Sequence, residues 1–368
     1  MRHESISMKR ILRILLALFI TVLLGLAGGA YWIYRDLHKA VTHNKASRFV
    51  EIPRGSAPAV VAKRLAAEGV ISHQWPFELY MKLTGAGSRI KAGDYKFPSP
   101  ITPLAVLQKL EQGEQRMIRL TVIEGWTRWD IANAMARIPE LDLKDSSVAL
   151  SLMDDTALVK QIDPEASNLE GYIYPDTYEF PPNTAPKAVV DMMVRRFLTI
   201  WTTQCADKAR PTNTTPRQIV TIASLIETEA KLSNERPIIA SVIYNRLQKK
   251  IPLGVDSSII YASKLAGKWK NDGKVYRSDI ERVSPYNTRI HQGLPPGPIA
   301  SPSESSLKAA VSPAQTNYVY YVREPLRNDG AHNFYENGSD FEKGVQALRK
   351  WEQQRDADNA AHRNHSSR

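Results

Sequence analysis

The sequence has one cysteine, Cys205, among 368 residues, which excludes an intramolecular disulfide framework and a zinc site built on cysteines. It also lacks zinc-ligand spacing, a dominant basic helix and an aromatic ladder within a Lys/Arg run, so nucleic acid is not an expected partner. Beyond the N-terminal segment, no second run is long and apolar enough to cross a membrane. Charged residues make up 24% of the chain and hydrophobic residues 43%, which excludes a polytopic membrane protein, a collagen-like chain and wholesale disorder.

The charge balance is basic, with 49 Lys and Arg against 38 Asp and Glu, a net charge of +11. A basic surface is most often simply solvated, and part of the excess lies in an N-terminal cluster. For an exported protein, anionic lipid headgroups or an acidic cell-wall polymer fit this charge better than nucleic acid does. The length predicts about two domains.

The run from Ile14 to Tyr34 carries no charged residue and is about as long as the 20 residues that cross a hydrocarbon core. The basic residues Arg2, Lys9, Arg10 and Arg13 precede it, which predicts a single transmembrane helix with a cytoplasmic N-terminus. The rest of the chain is then expected outside the cytoplasm, in the periplasm, anchored to the inner membrane.

A cleaved signal peptide is the alternative interpretation, with Gly28 and Ala30 as the small residues before the cut. A cleaved apolar core usually has only about 7–15 residues. This run is longer and ends in the aromatic pair Tyr31 and Trp32, which is typical of a membrane-interface anchor. Both interpretations deliver the remaining chain outside the cytoplasm.

Alternating extended and helical patterns predict an α+β fold behind the membrane helix. The first module, with the order strand, helix, helix, strand, is typical of a small LysM-like sugar-binding module. The same order is also common in small α+β domains of any function. We expect the following organisation: a cytoplasmic basic segment at 1–13, a transmembrane helix at 14–34, a juxtamembrane linker at 35–48, the LysM-like module at 49–115, a mixed α+β catalytic domain at 116–345 and a polar C-terminal tail at 346–368. A last helix is predicted from about Lys343, and it runs into the polar end ADNAAHRNHSSR, which is expected to be disordered.

The helix predicted from Arg217 to Lys231 carries two acids, Glu227 and Glu229, on opposite margins of an apolar stripe. A carboxyl group at such a margin is partly desolvated, which raises its pKa and suits a general acid. The alternative is that these acids reach water or pair with a basic neighbour, such as Arg236 or Arg246. Helical geometry does not choose between the two acids, and only the small Ala223 one turn before Glu227 favours that one.

Two further segments have the composition of loops that contact sugars. They are LEGYIYPDTYEFPP, with three tyrosines and three acids, and SPYNTRIHQGLPPGPIASP, with five prolines. Aromatic rings can stack on a pyranose, and carboxylates can accept its hydroxyl protons. The same composition describes an ordinary packed loop. The proline-rich segment is expected to form a fixed wall of a groove.

Several successive blocks resemble the YceG-like family of membrane-anchored endolytic murein transglycosylases, over roughly residues 49–343. They are IASLIETEAKLSNERPIIASVIYNRL, LGVDSSIIY, SPYNTRIHQGLPPGPIASPSESSLKAAVSPAQTNYVYYV and, earlier in the chain, EGYIYPDTYEF. The resemblance implies cleavage of peptidoglycan strands between N-acetylmuramic acid and N-acetylglucosamine without water, which leaves anhydro-muramic ends and terminates nascent strands. It implies Glu227 as the catalytic acid, and peptidoglycan synthases as candidate partners.

This sequence departs from the family pattern in two places. The family's Asp-Pro-Thr motif is Asp256-Ser257-Ser258 here, so the turn after Asp256 is expected to be less rigid. His332 and Phe334 match a His-x-Phe motif, but the later family histidine is Phe341, and no role is carried onto that position. The residues expected to contact the glycan are Tyr172, Asp176, Asp256, Tyr286 and Asn287.

In the implied mechanism, Glu227 protonates the glycosidic oxygen and then, as a carboxylate, takes the proton of the muramoyl primary hydroxyl. No metal or organic cofactor is expected. One rival is a muramidase, whose second carboxylate, Asp256 or Asp176, would lie about 5–5.5 Å or about 6.5–9.5 Å from the first. The other rival is a tethered wall-binding or division scaffold in which Glu227 is only structural.

Overall fold

The structure is a computed structural model that describes residues 8–113, 116–209, 214–327 and 329–366. Contacts along the chain divide it into two compact units, the first ending at Met117 and the second beginning at Ile118. The boundary expected from the sequence, between 115 and 116, lies two residues earlier. Each unit has a hydrophobic core of its own.

The N-terminal helix α1 spans Met8–His38. Its segment Leu12–His38 is the single helix of the described residues that is long and apolar enough to cross a membrane. The helix does not stop at the predicted linker: Leu37 is 3% exposed in the core of the first unit, and Asp36 accepts a hydrogen bond from His73 at 2.7 Å. The start of the 35–48 segment is therefore helical and packed, because apolar Leu37 buries against the first unit.

The rest of the first unit has the predicted order of elements. They are β1 (Val50–Ile52), α2 (Pro58–Ala67), α3 (Gln74–Thr84), β2 (Gly93–Tyr95) and α4 (Pro103–Gln112). The two strands pair antiparallel, with Val50 opposite Tyr95. Helix α4 begins at Pro103, where Thr102 Oγ1 accepts a hydrogen bond from the helix backbone, and Gly113 ends the helix in a left-handed conformation.

The second unit is mixed α+β and mostly helical. Its elements are β3 (Ile118–Thr121), α5 (Arg128–Ala136), α6 (Ser146–Leu152), β4 (Thr177–Phe180), α7 (Pro186–Ile200), α8 (Ala206–Ala209), α9 (Pro216–Glu229), α10 (Arg236–Gln248), α11 (Asp256–Leu265), α12 (Arg277–Ile280), α13 (Glu304–Val311), β5 (Tyr320–Arg323), β6 (His332–Tyr335) and α14 (Gly338–Ser366). β3 pairs antiparallel with β4, and β5 with β6.

Helix α9 is the centre of this unit. Thr215 and Gln218 exchange side-chain and backbone hydrogen bonds in a capping box, and Pro216 fits the first helical position, where no backbone N–H is needed. Every residue from Ile219 to Ile226 is at most 1% exposed, and α10, α11 and α13 pack around the helix. The sequence predicts a single apolar stripe on this helix. The buried surface is wider than that stripe, because the helix is buried on all sides.

The expected disorder of the polar tail is wrong for the described residues. Helix α14 runs through Ser366, and only the last two positions of the 346–368 segment lie outside the described residues. Ala, Arg, Gln and Glu are strong helix formers, and the tail contains neither proline nor glycine. Near the start of α14, Phe341 stacks on Tyr320 with ring centroids 4.8 Å apart.

Candidate active site

Glu227 lies in the last turn of α9, with a side chain that is only 4% exposed. Both of its carboxyl oxygens are bound. Oε1 accepts a hydrogen bond from Arg236 Nη2 at 3.0 Å. Oε2 accepts one from the Ser303 backbone N–H at 2.7 Å and a second, very short one from the Ser303 hydroxyl. A negative charge at this carboxyl group is therefore stabilised by a cation and by two polar donors.

Ser303 contributes more than two donors, because it is the N-cap of α13. Its hydroxyl accepts a hydrogen bond from Ser306 N at 3.4 Å, and its backbone N–H points out of the first turn of the helix at Glu227. A helix N-terminus carries a partial positive charge that favours an anion. The end of α9 and the start of α13, 76 residues apart, thus together hold the Glu227 carboxylate.

The turn between β3 and α5 forms another side of the site. Gly125 has φ +77°, a left-handed conformation that favours glycine, and its N–H donates to Ser301 O at 2.9 Å. A Cβ atom at Gly125 would lie 4.0 Å from Cγ of Glu227, so the turn packs directly against the acid. Glycine here both permits the turn and brings the backbone close to the carboxyl group.

Glu124, in this same turn, is a second acid beside Glu227. Its Oε2 lies 4.0 Å from Arg236 Nη2, the nitrogen that also binds Glu227, while its own side chain is 58% exposed. Partial burial and the negative charge of Glu227 raise the pKa of Glu124, although Arg236 opposes the shift. Two carboxylates with unequal exposure thus share one guanidinium group.

Glu229 has different surroundings from Glu227. Its Oε2 accepts a hydrogen bond from the Tyr321 hydroxyl at 2.9 Å. Burial raises the pKa of Glu229, and the charge of Asp256 adds to this, against the hydrogen bond from Tyr321. The Tyr321 ring contacts His332 edge-on, and His332 Nδ1 lies 2.8 Å from Glu235 Oε2. This second acid belongs to a buried network between α9 and the β5–β6 hairpin.

Two predicted glycan-contact residues are partly exposed and form ion pairs. Asp256 is the first residue of α11, and its Oδ1 lies 2.6 Å from Arg289 Nη2. Asp176 Oδ2 accepts a hydrogen bond from Arg196 Nε at 2.9 Å. Each remains within reach of a ligand. Asp256 begins a helix rather than following a loose turn, because Ser257 joins it in the first helical turn.

The structure places two other predicted glycan contacts in the core. Tyr172 is 1% exposed and its hydroxyl donates to Asp163 at 2.6 Å. Asn287 is 0% exposed, and its amide donates to the carbonyls of Ile280 and Arg282 at 2.9 Å. A glycan cannot touch either side chain in this structure, because both have protein partners that satisfy them away from solvent. They hold their segments in shape.

Tyr286, the remaining predicted contact, is half-buried and packs against Tyr261, with ring centroids 4.9 Å apart and ring planes tilted by 47°. A Cβ atom at Gly297 would lie 3.4 Å from its hydroxyl oxygen. The proline-rich segment packs closely elsewhere as well. A Cβ atom at Gly171 would lie 2.3 Å from Pro298, and φ +79° adds a conformational need for glycine there. This close packing supports the rigid wall expected from the prolines.

Glu170, within the EGYIYPDTYEF block, is a fully buried acid that sequence reasoning did not single out. It is 3% exposed and accepts hydrogen bonds from the Arg128 backbone N–H at 3.3 Å. Burial raises its pKa to about 7, despite the opposing charge of Arg128 and a hydrogen bond from Tyr261. Glu170 therefore joins the start of α5 to α11 through a group that titrates near neutral pH.

The sequence predicts Glu227 as the catalytic acid but does not indicate Ser303, which binds it, or Glu124, which shares Arg236 with it. The sequence indicates Arg236 only as a basic neighbour whose pairing would give an acid a structural role. In the structure Arg236 does pair with Glu227. One local signal points to Glu124: it directly precedes Gly125 in the turn between strand β3 and helix α5. Ser303 precedes Glu304 in a helix-start pattern, but nothing local connects it to Glu227.

Comparisons with known proteins support the resemblance to the YceG-like family. The model of the YceG-like family matches residues 50–347. A Bacillus subtilis protein named endolytic murein transglycosylase is 33% identical over 312 residues, which cover 80% of this chain and 84% of the relative. A Streptococcus pneumoniae protein of the same name is 27% identical over 358 residues, and the match spans 89% of this chain but 64% of the longer relative.

A solved structure supports the same relationship. The crystal structure of a YceG-like protein from Listeria monocytogenes aligns with a TM-score of 0.55 and 29% identity, covering 80% of this chain and 98% of that one. The family match covers both units and includes Glu124 and Glu227. On the strength of the match over 50–347, the chain belongs to the YceG-like family.

Proposed function

We propose that this protein is an endolytic murein transglycosylase, a lyase that cuts glycan strands between N-acetylmuramic acid and N-acetylglucosamine and leaves anhydro-muramic ends. The observation that carries the proposal is the environment of Glu227: an almost fully buried carboxyl group bound by Arg236, by Ser303 and by the N-terminus of α13. The names of the relatives agree with this chemistry.

The reaction needs one carboxyl group in two successive roles. Protonated Glu227 gives its proton to the glycosidic oxygen as the bond to muramic acid breaks through an oxocarbenium-like state. The resulting carboxylate is held by Arg236 and Ser303 until it accepts the proton of the muramoyl primary hydroxyl, whose oxygen closes the internal ring. The proton returns to Glu227, so the cycle consumes no water and ends with the acid restored.

Hydrolysis of the same bond is the second candidate, and Glu124 is the observation that favours it. Glu124 Oε2 lies 4.0 Å and Glu227 Oε1 lies 3.0 Å from the same atom, Arg236 Nη2. These two distances set an upper limit on the separation of the two carboxyl oxygens. This upper limit admits the separation of about 5–5.5 Å at which a retaining glycosidase keeps its second carboxylate. The buried Glu227 would then be the acid and the more exposed Glu124 the group that activates water.

Mass spectrometry of murein digested by the full-length protein separates the candidates. Transglycosylation predicts anhydro-muramic ends, whereas hydrolysis predicts reducing ends with one added water, and a scaffold leaves the strands uncut. Cuts inside strands give a broad range of fragment lengths, and disaccharides released only from ends would contradict the endolytic assignment. A Glu124→Gln variant sharpens the test, because a hydrolase should lose turnover as severely as with Glu227→Gln.

We also propose that α1 anchors the protein in the inner membrane, with the N-terminus inside and both units in the periplasm. The positive residues before the apolar run support this orientation. The packing of Leu37 and Asp36 into the first unit holds that unit close to the bilayer. Nascent strands and their synthases would then be the nearest substrates and partners. N-terminal sequencing that begins at Tyr31 would contradict the anchor.

The first unit is, in this proposal, a LysM-like glycan-binding module, supported by its order of two antiparallel strands around two helices. It would hold a strand while the second unit cuts it. Hydrogen exchange on the full-length Glu227→Gln protein tests this role. Peptide-free glycan strands should slow exchange within residues 50–113, and unchanged exchange there would reduce the first unit to a spacer.

A further inference from the structure

A cavity of about 300 Å³ lies in the second unit, on the side of α5 and α11. We call it the tryptophan pocket, and its lining residues are Trp129, Asp130, Asn133, Lys264, Trp269 and Asn271, with Gly267 at its edge. Two indole rings, two amides and one ion pair form a mixed apolar and polar lining. This volume is at the lower end of the range for small-molecule sites.

The polar groups of the pocket are free to bind a ligand. Within the part of the chain that the structure describes, neither the indole N–H of Trp129 nor that of Trp269 donates a hydrogen bond, although both rings are half-buried. The amides of Asn133 and Asn271 are likewise unpaired among these residues.

The charged groups of the pocket neutralise each other. Asp130 Oδ2 accepts hydrogen bonds from Thr127 N at 2.9 Å and lies 3.5 Å from Lys264 Nζ. Burial tends to raise the pKa of Asp130, but its bonds to Thr127 and Lys264 outweigh this and lower the pKa. A paired carboxylate and ammonium group favour a neutral ligand over an anion, which would need an uncompensated cation.

We propose that the tryptophan pocket is a distal subsite that binds one N-acetylhexosamine ring of the glycan strand. This rests on the proposed function. The indole rings offer flat apolar surfaces for the C–H face of a pyranose, and the free indole and amide groups can bind its hydroxyl and acetamido groups. An N-acetylhexosamine is neutral and has both an apolar C–H face and polar hydroxyl and acetamido groups. It therefore fits the indole rings, the amides and the neutralised ion pair of the lining.

The pocket is connected to the acid by two short elements. Trp129 follows Gly125 by four residues, and Gly125 packs against Glu227, so at most about 15 Å of chain separates the two. Helix α11 gives a second connection: Ser257 at its start bonds Thr228 beside Glu227 at 2.6 Å, and Lys264 at its end lines the pocket. The pocket therefore lies within a few sugar lengths of Glu227.

Binding of peptide-free glycan strands of graded length tests the proposal, using full-length Glu227→Gln protein in detergent so that nothing is cut. Trp269→Ala in this background should weaken binding of long strands about tenfold, with a loss that grows with strand length, and Trp269→Phe should recover part of it. Trp351→Ala, which removes a half-buried tryptophan from α14, is the matched control and should bind like its parent.

The outcomes separate the subsite from the proposed function. If the wild-type protein cuts murein while Trp269→Ala binds every strand length like its parent, the subsite is wrong and the function stands. If the wild-type protein neither binds nor cuts murein, the function itself fails. A loss confined to strands that carry stem peptides would assign the pocket to peptide and overturn the sugar proposal. Circular dichroism spectra matching the parent confirm that a lost affinity is local.

Discussion

The two acids at the end of α9 stand two residues apart and have opposite surroundings. Glu227 faces the turn of Gly125 and the start of α13, where a cation and two polar donors hold both of its oxygens. Glu229 faces the β5–β6 hairpin, where a tyrosine hydroxyl binds one oxygen. Residues i and i+2 on a helix diverge, so one helix presents one acid to the candidate active site and the other to a packed network.

Burial alone therefore does not distinguish Glu227, the proposed catalytic acid, from Glu229. Both side chains are largely buried, yet Glu227 is surrounded by groups that stabilise a carboxylate formed during a reaction. Glu229 is buried and lies near the negative charge of Asp256, and both raise its pKa against the hydrogen bond from Tyr321. Substitutions at and around these two acids test the difference between them, and their expected effects range from large at Glu227 to small at Glu229.

Glu227→Gln is expected to lower the rate of murein cleavage by about 10²–10⁴-fold, because the amide keeps the shape but neither gives nor takes the proton. The measurement is turnover on purified sacculi, with the melting temperature as a check of folding. A folded Gln variant with wild-type turnover would remove Glu227 from the mechanism.

Glu170 predicts a pH-dependent free energy of unfolding. Its folded-state pKa, about 7, lies above the ordinary value of 4.5. The folded protein therefore keeps a proton that the unfolded chain releases, so this stability is complete below about 4.5 and is lost as pH rises through about 7. The shift corresponds to about 3 kcal/mol.

Urea unfolding of the second unit measured at several pH values should show this loss in the wild-type protein and much less of it in Glu170→Gln. Glu165→Gln, which changes an exposed acid nearby, serves as the matched control. Identical pH profiles for the wild-type and Glu170→Gln proteins would mean that Glu170 is ionised in the folded state at neutral pH.

Ser303→Ala removes a hydroxyl donor from Glu227 and the N-cap of α13 but keeps the backbone N–H. The expected cost is about 1 kcal/mol of stability and about a tenfold loss in turnover, since one hydrogen bond to a charged group is typically worth about 1.5–3 kcal/mol and the backbone donor remains. Thr102→Ala removes the cap of α4 in the other unit and should lower stability without lowering turnover. Equal turnover losses in both variants would assign the effect of Ser303 to folding.

Glu229→Gln is expected to have the smallest effect on turnover. A glutamine side-chain oxygen can still accept the hydrogen bond from the Tyr321 hydroxyl. Cleavage within about threefold of the wild-type rate is expected, because no proton is transferred at this position. A loss as large as that of Glu227→Gln would remove the distinction between the two acids.

Much of the fold follows from local features of the sequence. The helix predicted from Arg217 to Lys231 corresponds to α9, which spans Pro216–Glu229. The choice of Glu227 as the catalytic acid comes from a long family block and stays a prediction. The last helix, predicted from about Lys343, begins at Gly338 and continues through the end that was expected to be disordered, because the residues there include good helix formers.

The remaining parts of the site depend on contacts between distant segments. Ser303 meets Glu227 across 76 residues, and no local pattern encodes that meeting. Tyr172 and Asn287 have the composition of sugar contacts but satisfy Asp163 and loop carbonyls instead. Composition shows which groups can bind a glycan, but only packing decides which of them face one.

The most direct test of the division between the acids is rescue of truncated variants by formate. Glu227→Ala leaves a gap lined by Arg236 and Ser303, which can bind a small carboxylate, whereas Glu229→Ala leaves a gap that has no catalytic use. Murein cleavage by folded Glu227→Ala should be lost and should recover with added formate, while formate should not change the rate of Glu229→Ala. Recovery only in Glu229→Ala, or a folded Glu227→Ala that cuts at the wild-type rate without formate, would contradict the account.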